Sequence, residues 1–241
     1  MFSLFGRSKK ALATPRLRLG GSRAEQPSVH RVALAELTPV LSRYLGQAAY
    51  LQLANFETLT SLIRSAPTVA SKAALVEVAS LSLRKYEGLV QEITAAGGDA
   101  AGFMEPFAPH IETFKAATRG ADWYEELVTS YVTAGILDDF FIALADGLPE
   151  AASARIRSLL SGSEGSRLIV AQLSSATAAN PRLASRLALW GRRLVGDTLL
   201  IARSALAVPE NQHPDEARLE PVFTELIAAH TRRMDDLGLT A

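Results

Sequence analysis

A chain of 241 residues is long enough to bury a sizeable core, and 48% hydrophobic with 21% charged residues is the make-up of an ordinary globular protein. The lack of cysteine excludes disulfides, thiolate metal sites and cysteine nucleophiles, and favours a reducing compartment. Lysine plus arginine balances aspartate plus glutamate at 25 each, the opening Met1-Phe2-Ser3-Leu4-Phe5 is too short for a signal peptide, and no run reads as the roughly 20 apolar residues of a transmembrane segment, so the expected location is cytoplasmic.

The charge balance hides an asymmetry. Residues 1–31 carry Arg7, Lys9, Lys10, Arg16, Arg18, Arg23 and Arg31 against Glu25 alone. Pro15, Gly20, Gly21 and Pro27 break any helix there, so 1–31 reads as a basic, disordered arm and 32–241 as the helical domain. Three roles stay open for the arm. It is a solvated tail, a weak contact of Arg7, Lys9, Lys10, Arg16 and Arg18 with nucleic acid or anionic lipid, or a segment packing on the acidic remainder of its own chain.

Thr38-Pro39 reads as an N-cap with proline at the first helical position. Leu41, Leu45, Ala49, Gln52, Phe56, Leu59 and Ile63 then recur at helical spacing until Pro67, about 27 residues or roughly 40 Å of helix. A second helix starts at Val69 to Ser71, turns Leu75, Val78, Ser82, Tyr86, Leu89 and Ile93 to one side, and stops at Gly97-Gly98. Pro106, Pro109 and Gly120 make residues 99–121 a broken helical connection. Asp122 to Glu125 reads as a capping box opening a third long helix, with the stripe Leu127, Tyr131, Ala134, Asp138, Phe141 and Ala145. Beyond Pro149, helix runs to about Leu160 and again to Ala178, interrupted around Ser161 to Ser166. Asn180-Pro181 caps a helix to about Leu206, and a last helix ends at Leu237-Gly238. Nothing reads as strand. The expected class is all-α, a four-helix bundle with two additional C-terminal helices.

This layout, with Met104-Glu105-Pro106-Phe107, Asp122-Trp123, Arg186-Leu187-Ala188-Leu189-Trp190, Arg192-Arg193-Leu194-Val195-Gly196 and His230-Thr231-Arg232-Arg233-Met234, resembles a ferritin-like family of actinobacteria similar to the di-iron tRNA 2-methylthio-N6-isopentenyladenosine hydroxylase. The resemblance spans about residues 38–238. It implies a ferritin-like fold and oxygen-dependent hydroxylation at a di-iron centre. Such a centre takes a carboxylate from each of two helices and a carboxylate with a histidine three residues later from each of two more. Laid on this chain, the ligand positions fall on Gln52, on Ser82 and Lys85, near Ala134, and near Gly162 and Gly165.

A test free of register gives the same answer. The four histidines are His30, His110, His213 and His230, so no imidazole falls within the four core helices. The sole carboxylate-x-x-histidine string, Glu210 to His213, sits between Pro209 and Pro214 and reads as loop. Asp138 is the one acid squarely on an apolar face, and one acid does not hold two divalent ions. The expectation is therefore a family member without a metal cofactor, its former ligand positions Gln52, Ser82, Lys85, Ala134, Asp138, Gly162 and Gly165 left to form a polar network. Lys85 either pairs with Asp138 or the Gln52 carbonyl, or snorkels to water. The function expected is non-catalytic binding or assembly with an unidentified protein partner, an active relative or a second copy. The alternative is a hydroxylase with two iron or manganese ions. Trp190 with Arg192, Arg193 and Arg203 reads as the wet side of an amphipathic helix more readily than as a nucleic-acid face. The Gly/Ser-rich stretch at 161–166 lacks the features of a phosphate loop.

Overall fold

A computed structural model describes residues 35–206 and 216–239. The basic arm at 1–31 and the Glu210 to His213 string lie outside those residues. The helices are α1 (Leu41–Ser65), α2 (Val69–Ala95), α3 (Ala100–Met104), α4 (Ala108–Ala117), α5 (Trp123–Leu144), α6 (Glu150–Leu160), α7 (Glu164–Ala179), α8 (Pro181–Ser204) and α9 (Glu216–Asp236). Single 3-10 turns occupy Glu105–Phe107 and Ala145–Gly147, and no strand occurs among the described residues.

Local chemistry explains most boundaries. The Thr68 hydroxyl accepts from Ser71 N at 3.0 Å and opens α2, which closes where Gly97 takes a φ of +74° that a side chain would resist. Asp122 accepts from the amides of Tyr124 and Glu125 and opens α5. Asn180 caps α8 from its side chain, with Pro181 in the first turn. Thr38 differs from the expectation. Helix α1 begins at Leu41, without a side-chain cap, and the Thr38 hydroxyl instead donates to Leu144 O at 2.7 Å, fastening the incoming chain to the end of α5.

Helices α1 and α2 pack along each other, and α5 lies against α1. The fourth rod of the bundle is α6 followed by α7, interrupted at Ser161–Ser163, with both pieces touching α2 and α5. Helix α8 covers α5 from the other side, and α9 packs on α5 and α8. The all-α bundle with two additional C-terminal helices is thus the observed architecture.

Helix α5 is the centre of the molecule, which its single expected stripe did not convey. Val128, Val132, Ile136 and Phe140 are as buried as Leu127, Tyr131, Leu137 and Phe141, because helices pack on more than one side of α5. Against the expectation that no run is long and apolar enough to cross a membrane, Trp123–Gly147 is so by length and composition, and 67% of its apolar window is buried inside the bundle.

The core is divided at mid-height. One apolar cluster gathers Tyr44, Leu45, Leu89, Ile93, Leu137 and Phe140 with the residues around them, and the other gathers Leu59, Leu62, Leu75, Val78, Leu127 and Val132. Between them, on the facing sides of α1, α2 and α5, runs a belt of polar residues.

Candidate functional site

The belt follows from helical spacing. Gln52 and Asn55 sit one turn apart on α1, Ser82 and Lys85 one turn apart on α2, and Ser130, Ala134 and Asp138 at steps of four on α5, so each set shares a face. The Lys85 ammonium donates to Asp138 Oδ2 at 2.5 Å and Gln52 Nε2 donates to Asp138 Oδ1 at 2.7 Å. Ser82 Oγ donates to the Gln52 carbonyl at 3.2 Å, and Asn55 Nδ2 donates to Ser82 Oγ at 3.2 Å. Ser130 Oγ closes the chain by donating to Asn55 Oδ1 at 2.6 Å. The Lys85 and Asp138 side chains are only 17% and 14% exposed, which excludes a lysine that snorkels to bulk water. Burial pushes the Asp138 carboxyl above the ordinary carboxylate range, while the Lys85 ammonium and the Gln52 amide pull it back.

Beside the belt lies a cavity of about 820 Å3, open to solvent. Gln52, Ser82, Lys85, Ala134 and Asp138 line it from three helices, and Gly162 and Gly165 from the broken fourth rod. All seven residues singled out in the sequence therefore meet at one place. The two glycines are not there for lack of room. A Cβ on Gly162 would meet nothing within 4 Å, and one on Gly165 would make ordinary contact with Leu81 at 3.5 Å. Ala134 and Asp138 stay half-buried amid the buried run of α5 because they face this opening.

Asn55 and Ser130 belong to the belt but were missed in the sequence. Their signal was available, since Asn55 is three residues after Gln52 and Ser130 four before Ala134, on the same faces. The remaining candidates have structural roles. The Trp190 indole donates to Thr129 Oγ1 at 2.9 Å, with the Arg193 guanidinium 5.4 Å from its ring, so it fastens α8 to α5. Tyr131 reaches the Arg233 carbonyl at 3.5 Å, and burial pushes its hydroxyl up to about 12. Asp139, next to Asp138, turns away from the belt to meet Arg233 of α9, which also donates to the Gly135 carbonyl at 2.9 Å. Arg186 of α8 grips the opening of α5 through Asp122 at 2.5 Å and Glu125 at 2.7 Å.

The donor set of the belt does not fit a pair of divalent ions. Such ions draw several carboxylates and imidazoles with open lone pairs. Here Asp138 is the belt's one carboxylate, and an ammonium and an amide occupy its two oxygens. Glu164, the other acid on the cavity, is exposed at the rim. Among the described residues no three histidines or acids gather as a metal site.

No curated protein matches the chain. A family model described as a ferritin-like domain of actinomycetes matches residues 37–211, from the strap before α1 to just beyond α8. With the four-rod bundle and its polar mid-section in place, that match over most of the chain makes this protein a member of the ferritin-like domain family of actinomycetes.

Proposed function

We propose that this chain is a metal-independent ferritin-like binding protein, in which the Lys85 ammonium stands where a relative resembling the tRNA hydroxylases would hold its metal ions. The observation that carries this reading is the Lys85–Asp138–Gln52 arrangement. A carboxylate at the middle of a bundle needs a positive partner, and a lysine from the neighbouring helix supplies one covalently. That removes the requirement for a bound cation and leaves the adjoining cavity to receive a ligand. The residues at the ligand positions supply no open carboxylate for a second ion, so no oxygen-activating step is assigned to them.

The test is the metal content of the purified full-length protein after growth in medium supplemented with iron and manganese. Expected is well under one equivalent of either metal per chain, and no change in thermal stability after dialysis against a chelator. About two equivalents of iron or manganese per chain, with consumption of dioxygen on reduction, would favour the hydroxylase instead.

A further inference from the structure

Resting on that reading, we infer that the cavity takes a small molecule with an apolar body and a single oxyanion head, the head at the rim and the body against the inner wall. The volume, about 820 Å3, suits a small-molecule ligand. Leu59, Val78, Leu81, Leu159 and Ile169 give the cavity an apolar wall. The charges around it are uneven: Arg84, Lys85, Arg155 and Arg167 against Asp138 and Glu164.

Two of these cations are already engaged. Lys85 serves Asp138, and Arg155 makes a two-pronged pair with Glu92 at 2.6 and 2.8 Å. Arg84 on α2 and Arg167 on α7 make no ion pair and no side-chain hydrogen bond with any described residue, although both stand on the cavity and their helices are neighbours. The hydroxyls of Ser158, Ser161, Ser163 and Ser166 on the same rim also have no partner among the described residues. Ser163 precedes α7 without capping it from its side chain, which leaves the first amides of a 16-residue helix beside these groups. Guanidinium and hydroxyl donors without an acceptor among the described residues match the acceptor oxygens of a carboxylate, sulfonate or phosphate. At the floor, Lys85 and Asp138 already neutralise each other, so a second charge gains little by going deeper.

The experiment titrates full-length, chelator-washed protein with two dyes of similar body, the sulfonate 8-anilinonaphthalene-1-sulfonate and the neutral N-phenyl-1-naphthylamine, read by fluorescence. The sulfonate is expected to bind once per chain, and at least about tenfold more tightly than the neutral dye, the order of one charge-assisted contact. The pair of substitutions Arg84→Ala and Arg167→Ala should remove that preference and leave the neutral dye's affinity unchanged. Both side chains are exposed, so the fold should survive, as a urea melt would verify; Arg84→Gln with Arg167→Gln serves if it does not. Equal affinity for the two dyes, or a preference that persists in the double variant, overturns the inference. Metal content is read separately. A two-metal protein that still selects the sulfonate would sink the earlier reading alone, and a metal-free protein without selection would sink this one alone.

Discussion

Replacing Lys85 by methionine keeps the apolar stem and deletes the ammonium, which leaves Asp138 in the bundle with only the Gln52 amide for a partner. Breaking a fully buried ion pair from one side costs about 3–5 kcal/mol. Here the two side chains keep 17% and 14% of their exposure along the cavity, so solvent screening reduces the expected loss to about 2–3 kcal/mol near neutral pH. For a chain of this length that lowers Tm by roughly 5–10 °C. The loss must depend on pH in a definite direction. Burial already raises the Asp138 carboxyl, and without Lys85 it rises further, so the folded variant binds a proton that the unfolded chain releases. Its stability is then fullest at low pH and is lost as pH rises through the raised value. Urea denaturation of the wild type, Lys85→Met, Asp138→Asn and the double variant, at about pH 5 and about pH 7.5, measures this. The gap between wild type and Lys85→Met should shrink to under about 1 kcal/mol at the lower pH, where a proton replaces the ammonium. The double variant should recover most of the loss at the higher pH. A Lys85→Met protein within about 0.5 kcal/mol of wild type at both values would refute the argument, because that is the behaviour of a solvated surface lysine.

Two further predictions concern the frame around the site. His230 is 3% exposed, both ring nitrogens are without a hydrogen-bond partner among the described residues, and burial together with the Arg233 charge lowers its basicity. The unfolded chain therefore binds a proton below about pH 6.5 that the fold resists, and stability should decline as pH falls from there towards the lowered value. His230→Leu should flatten that part of the pH–stability curve, and an unchanged slope would discard the argument. Gly46 lies where α1 packs on α3, and an added Cβ there would lie 2.0 Å from the Phe103 carbonyl oxygen. Gly46→Ala is expected to cost about 2–3 kcal/mol in thermal or urea melts, against under about 0.5 kcal/mol for Gly162→Ala, which meets nothing within 4 Å. Equal melting of the two variants would contradict the geometry.

The sequence announced its helix ends where a single residue decides them. Gly97 needs a positive φ, and Asp122 and Asn180 carry capping side chains, so those boundaries were readable in isolation. Thr38 has the same chemistry as a cap, yet its hydroxyl is taken by Leu144, a residue 106 positions away, and nothing local indicates that. The one-sided stripe drawn on α5 was misleading for a similar reason. A helix with neighbours on most of its sides buries more than one stripe, and periodicity cannot reveal how many neighbours a helix has. The site was more legible than the packing. Gln52 and Asp138 stood out as polar groups on apolar stripes, and a polar group in such a place needs a partner, which narrowed the choice to Lys85 and a few others. What stayed hidden was the opening beside them. The break at Ser161–Ser163 was visible as composition, but not that it would set Arg84 and Arg167 around one cavity.

The division of the core into two apolar halves has a consequence for how the rods find their alignment. Leucine and alanine faces tolerate sliding, and a bundle held by them alone has neighbouring arrangements of similar energy one turn, about 5.4 Å, apart. In this chain any such slip of α1, α2 or α5 would drive the Lys85 ammonium or the Asp138 carboxylate into hydrocarbon while its counterpart faced an empty place. The mid-height charges thus act as a key cut for a single lock position, and they rule out shifted packings before any ligand is present.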